Sequence, residues 1–179
     1  ACVVTAVKFA VPGAVRRGGQ VTVTLTMDGR CPARALRSDL AIVMDTSRSM
    51  NWHGALDRAR DLAVGLLDGL DPGAARAALV TFDSEARLEV PLTHDVSRVA
   101  RRVGALDGWG DSRLGEGLRV AAAELNGDRF DALAHRRMVV VTDGEFTDVV
   151  RDVAEAVRAS GIEIHAIVLP HGGVSGYVY

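Results

Sequence analysis

The sequence predicts an α/β chain: a mostly parallel sheet with helices on both faces, preceded by a short N-terminal β segment. Three observations carry this expectation. From residue 38 onward, short apolar runs alternate with segments of helical period. Two of the runs, residues 40–44 and 138–141, are continuously apolar, as in strands covered on both faces. Before residue 38 the pattern is instead β-branched and partly alternating.

Taken in order, residues 3–9 and 21–26 read as two strands joined by the turn-rich stretch 12–19, and residues 28–37 read as a linker. Residues 40–44 give the first central strand. Leu56, Ala59, Ala63, Leu66, Leu67 and Leu70 recur at helical spacing until Asp71-Pro72-Gly73 stops the helix. Residues 77–82 and 88–92 read as strands. Val96, Val99, Val103 and Leu106 mark a helix with Arg98, Arg101 and Arg102 on its wet side, and Leu114, Leu118, Ala121, Ala122 and Leu125 mark another. The second buried strand covers 138–141. Val150, Val153, Ala154 and Val157 form a helix ending at Gly161, and 162–169 is a last strand. The chain therefore divides into an N-terminal β segment (1–37), an α/β domain (38–169) and a strand-like tail (170–179).

The composition narrows the function. A chain of 179 residues with 48% hydrophobic and 25% charged residues has the balance of a folded domain. A net charge of −2 and an aromatic content of 4% argue against a nucleic-acid binder. No apolar run approaches the roughly 20 residues of a membrane span. Lys8 is the only lysine among 21 basic residues and alanine is abundant, the usage of a GC-rich genome. The opening ACVVTAVKF has no charged leader ahead of an apolar block, although a mature exported chain would read the same.

In sheets of this kind ligands bind beyond the carboxyl ends of the strands. The first central strand runs into Asp45-Thr46-Ser47-Arg48-Ser49 and the later one into Thr142-Asp143-Gly144-Glu145. A glycine-rich turn, residues 108–115, opens a helix between them. Alternation in an extended loop would aim Asp45, Ser47 and Ser49 at one point, with Thr46 and Arg48 facing away. Carboxylates and hydroxyls without Cys or His suit Mg²⁺, Mn²⁺ or Ca²⁺ better than zinc.

These three elements resemble the metal-ion-dependent adhesion site of the von Willebrand factor type A (vWA) domain family, of bacterial type. Asp45, Ser47 and Ser49 match its Asp-x-Ser-x-Ser element, and Asp143 matches the Asp of its Thr-Asp-Gly turn. Ser112 stands where the family most often has Thr, and Arg48 where many members have Gly. The resemblance covers residues 38–169. It implies a Rossmann-like vWA fold and a divalent cation held by Asp45, Ser47, Ser49, Ser112 and Asp143. It also implies a non-enzymatic module that binds a protein partner through that partner's Asp or Glu. The charge argument points the same way: two Asp residues at most balance a divalent ion, which then favours an incoming carboxylate.

Other readings stand beside this one. Asp and Ser at these places also suit helix caps, and for Ser112 capping and ligation are equally open. Asp111 and Glu145 flank the site. Trp52 and Trp109 either pack the loops or form a partner-contact rim. A magnesium-dependent phosphohydrolase would need a second Asp at position 47, where the chain has Ser, and no Walker-type sequence occurs. None of the five histidines, His53, His165 and His171 among them, sits in a catalytic motif.

If the N-terminal strands form a hairpin centred on Arg16-Arg17, opposed residues sum to about 33, and Cys2 and Cys31 meet that sum. A disulfide and two free thiols both remain open, and with them an exported or a cytoplasmic location. Family members continue past the last strand with another strand and a long helix, whereas residues 170–179 alternate like a strand. The tail is expected to pair with the N-terminal strands or to add to a neighbouring subunit, making a homo-oligomer.

Overall fold

The computed structural model describes residues 3–11, 20, 22–30 and 37–169. The chain divides into two compact units, Ala1–Ala35 and Leu36–Tyr179.

In the first unit β1 (Val3–Val11) and β2 (Thr22–Arg30) pair antiparallel. Their register sums to 33 from Val3↔Arg30 to Val11↔Thr22, as the hairpin arithmetic expects. Asp28, Gly29 and Arg30, expected to open a linker, belong to β2, because each has a partner across the ladder in Thr5, Val4 and Val3. Cys2, Cys31, His171 and the tail 170–179 lie outside the described residues.

The second unit holds a five-stranded sheet in the order β5-β4-β3-β6-β7. Its strands are β3 (Arg37–Asp45), β4 (Ala75–Phe82), β5 (Ala86–Thr93), β6 (Ala134–Thr142) and β7 (Glu163–Val168). β3 pairs parallel with both β4 and β6, and β6 with β7. Only β5 runs antiparallel, folding back on β4. Its described residues also form four α-helices: α1 (Ala55–Asp68), α2 (Val96–Gly104), α3 (Leu114–Asn126) and α4 (Arg151–Ala159). The α/β class expected from the sequence is thus observed. No described helix is long and apolar enough to cross a membrane.

Strand alternation explains why β3 is continuously apolar from Leu40 to Met44. Leu40, Ile42 and Met44 enter one core with Leu56, Ala59, Ala63 and Leu67 of α1 and Val99 and Val103 of α2. Ala41 and Val43 enter the other, with Leu118, Ala121 and Leu125 of α3 and Val153 and Val157 of α4. Burying each Leu, Ile, Met or Val among them contributes roughly 1.5–3 kcal/mol, and each Ala less. Two fully covered faces therefore hold the central strands rigid and fix where their carboxyl ends lie.

Candidate metal centre

β3 ends at Asp45 and its parallel neighbour β6 at Thr142, one register step beyond Met44↔Val141. The two strand ends deliver Asp45, Thr142 and Asp143, all buried, to one edge of the sheet. Asp45 is the hub. Its Oδ1 accepts from the Ser47 backbone N–H at 2.8 Å. Its Oδ2 accepts from Ser112 Oγ at 3.0 Å and from Thr142 Oγ1 at 2.7 Å. Ser47 Oγ lies 3.1 Å from Ser49 Oγ. Asp143 Oδ1 accepts from the Glu145 N–H at 3.2 Å.

The Ser112 loop is pinned from several sides. Arg48 N–H donates to Gly110 O at 3.0 Å, Arg113 N–H to Asp83 O at 3.0 Å, and Asp111 N–H to Ser84 Oγ at 3.0 Å. Thr147 donates both its N–H and its Oγ1 to Ser112 O, each at 2.9 Å. Of the two readings of Ser112, the cap is not the one observed. Its hydroxyl is directed to Asp45, while the amide of buried Gly115 in the first turn of α3 donates to Asp148 Oδ2 at 2.8 Å.

One expected orientation is corrected. Thr46 does turn away, donating to Phe82 O at 3.3 Å. Arg48, expected to face away, lines the same cleft of about 560 Å³ as Ser47, Ser49, Ser112, Glu145 and Phe146. The reason is local: residues Arg48–Gly54 wind into a 3₁₀ turn, so two-residue alternation ends at Ser47. Trp52 and Trp109 are both exposed. No sequence motif marks Thr142 itself as a donor to the site. Its signal is position, as the last residue of a buried strand before Asp143.

Burial holds the Asp45 carboxyl above the usual carboxylate range, and the neighbouring Asp143 charge adds to the rise. Hydrogen bonds from Ser47 and Thr142 oppose it without cancelling it. Among the described residues no three His, Cys, Asp or Glu come together. The donors offered to a cation are therefore two carboxylates and the hydroxyls of Ser47, Ser49 and Ser112. That all-oxygen set fits a hard divalent ion, which would also offset the burial of Asp45 and Asp143.

Residues 40–145 match the sequence model of the von Willebrand factor type A domain. The chain belongs to the vWA family. It is 33% identical over 142 residues to mouse matrilin-4, covering 72% of this chain and 22% of that protein. It is 32% identical to mouse matrilin-1, covering 75% of this chain and 29% of that protein. Among solved structures, a vWA protein from Catenulispora acidiphila is similar with a TM-score of 0.63 at 19% identity, covering 93% of this chain and 39% of that one. Proximal thread matrix protein 1 from the mussel byssus, described with a zinc-occupied MIDAS motif, is similar with a TM-score of 0.63 at 20% identity. That match covers 74% of this chain and 35% of the mussel chain. At these identities the structural likenesses establish a shared vWA fold. The chain spans less than a third of either matrilin.

Proposed function

We propose that this vWA chain is a non-enzymatic protein-binding module. In this reading Asp45, Ser47, Ser49, Ser112 and Asp143 hold a divalent cation, Mg²⁺, Mn²⁺ or Ca²⁺, and a partner protein supplies an Asp or Glu to it. The observation that carries the reading is the convergence of the Ser112 hydroxyl, the Thr142 hydroxyl and the Ser47 backbone N–H on the buried carboxylate of Asp45. When bound, the cation would supply an electrophilic point for the partner's carboxylate. The chain's own residues fix its position: Ser47 N–H and Thr142 Oγ1 orient Asp45, and Thr147 orients the Ser112 backbone. The zinc of the mussel protein belongs to that protein. Here the oxygen-only donor set favours harder ions.

Calorimetry of the full chain with Mg²⁺, Mn²⁺, Ca²⁺ and Zn²⁺ tests the reading. Binding confined to the native state should raise Tm with ion concentration, and Asp45→Ala should abolish the response. Absence of heat and of any Tm shift at millimolar Mg²⁺, Mn²⁺ and Ca²⁺ would overturn it.

A second reading, self-assembly through strand edges, draws on one observation. Among the described residues β7 has no strand on its outer side, and an apolar groove lined by Leu62, Leu66, Ile167 and Leu169 lies between it and α1. Such edges accept added strands. Sedimentation of the chain with and without residues 170–179 tests it, a monomer in both cases ending the idea.

A further inference from the structure

The three site loops carry more than oxygen donors. Each also exposes a large apolar side chain. Trp52, after β3, is 53% exposed, Trp109, before α3, is 69%, and Phe146, after β6, is 42%. Val149, in the same loop as Phe146, is 79% exposed. Both tryptophans of the sequence therefore stand on these loops, in a chain with only 4% aromatic residues.

The backbone holds them there. At Trp52 the 3₁₀ turn breaks (φ −82°, ψ 141°), and His53 (φ 52°) and Gly54 (φ 68°) follow in the left-handed region. His53 is the only non-glycine with positive φ among the described residues. Backbone strain of this kind collects at binding sites. Arg58 Nη1 secures it by donating to His53 O at 2.8 Å. Asn51 Nδ2 donates to Gly108 O at 2.7 Å, so the residues immediately before the two tryptophans are joined. A Cβ at Gly108 would lie 2.8 Å from Asn51 Oδ1, so a side chain there would displace the Asn51 amide. Trp109 N–H donates to Thr46 O at 2.7 Å, beside the Asp45 hub.

The charge around the cleft is also uneven. Arg113 lies 3.8 Å from Glu116, but Arg48, exposed on the cleft wall, forms no ion pair among the described residues. A cation so placed complements an arriving carboxylate.

We propose that the partner is a protein segment presenting its Asp or Glu directly beside bulky aliphatic or aromatic side chains. Trp52, Trp109 and Phe146 cover those side chains, and Arg48 faces the acid. The inference rests on the metal reading above and adds the partner's chemistry to it. An isolated acid on a polar loop would leave the exposed parts of three large apolar side chains uncovered on binding. An apolar-flanked acid would remove them from it, and Trp is enriched among the residues that dominate interface energies.

The test uses the full chain loaded with Mn²⁺. A random dodecapeptide phage library is panned on it and eluted with EDTA, in parallel with a Trp52→Ala/Trp109→Ala variant whose Mn²⁺ heat and far-UV spectrum match the parent's. Recovered sequences are expected to carry Asp or Glu within two positions of Leu, Ile, Phe or Trp. Synthetic peptides from that set should bind the double variant roughly tenfold or more weakly than the parent. A Phe146→Ala variant should show a smaller loss. Acids flanked by polar residues, equal binding to the double variant, or no EDTA-eluted phage despite Mn²⁺ heat would each overturn this inference alone. Absence of Mn²⁺ heat overturns the metal reading, and this inference with it. Mn²⁺-dependent dimerisation that buries the tryptophans would assign the rim to a second copy and overturn it as well.

Discussion

Thr142 Oγ1 donates to Asp45 Oδ2 at 2.7 Å, joining the carboxyl ends of two neighbouring parallel strands. Both groups are buried, so neither exchanges this bond for water without cost. Thr142→Val should destabilise the fold by about 1–3 kcal/mol, the range for a buried acceptor that loses its donor. It should also weaken cation binding, because Asp45 loses one of the groups that aim it. Thr142→Ser keeps the hydroxyl and should recover most of both effects. Urea midpoints and Mn²⁺ calorimetry on the two variants check this.

The raised pKa of Asp45 marks a stability cost in the metal-free chain. Replacing Asp45 with Asn keeps an acceptor for the Ser47 N–H and removes the buried charge. In EDTA, Asp45→Asn should therefore melt above the parent, while losing every cation-dependent rise in Tm. A variant that melts below the parent in EDTA would show that the carboxylate is already well compensated.

The sequence makes part of this arrangement legible and hides part of it. The helices and central strands follow from local period, which Leu56 to Leu67 and residues 40–44 carry within a few turns of chain. Asp45, Ser47, Ser49 and Asp143 stand out because carboxylates and hydroxyls follow closely on apolar runs, and Ser112 because it stands in the glycine-rich turn that matches the vWA pattern. The 3₁₀ turn at Arg48–Gly54 has no apolar period to announce it, so the alternation that aims Arg48 away from the cleft fails there. Gly29 looks like a turn residue until Val4 is seen opposite it. The roles of Thr142 and Asp148 rest on partners 97 and 33 residues away, which no local pattern encodes.

Acid stability should depend on Glu124. Its carboxylate accepts from Arg129 at 2.8 Å through both oxygens and from the Leu92 N–H at 2.8 Å. The Arg129 hydrogen bonds hold its pKa below the usual range, against burial, which raises it. A lowered folded pKa means that the stabilisation is present above the unfolded value and lost as pH falls through the folded one. Glu124→Gln should lower Tm at pH 7 and flatten the fall in Tm on acidification. Parallel acid limbs for parent and variant in thermal melts between neutral pH and pH about 3 would rule out this group as a contributor.

Gly115 and Asp148 should behave as a single unit. A Cβ built on Gly115 would lie 2.6 Å from Asp148 Oδ2, the atom that accepts the Gly115 N–H. Gly115→Ala alone must push Asp148 aside, at a cost of about 1–3 kcal/mol for overpacking a closed site. Asp148→Ala alone removes an acceptor from the first turn of α3, typically about 1 kcal/mol for a lost helix cap. With Asp148 already truncated, Gly115→Ala meets only an ordinary contact with Val149 O at 3.7 Å and gains roughly 0.5–1 kcal/mol of helix propensity. The double variant should therefore be more stable than the sum of the singles, with a coupling above about 1 kcal/mol. The loop that carries Asp148 also carries Thr147, which holds the Ser112 backbone. Each single variant should thus weaken Mn²⁺ binding several-fold, and Thr147→Val, which removes only the hydroxyl bond to Ser112 O, should do so with a smaller stability loss. Strictly additive urea midpoints would separate Gly115 from Asp148, and Mn²⁺ affinities unchanged in all four variants would show that this loop does not position the site.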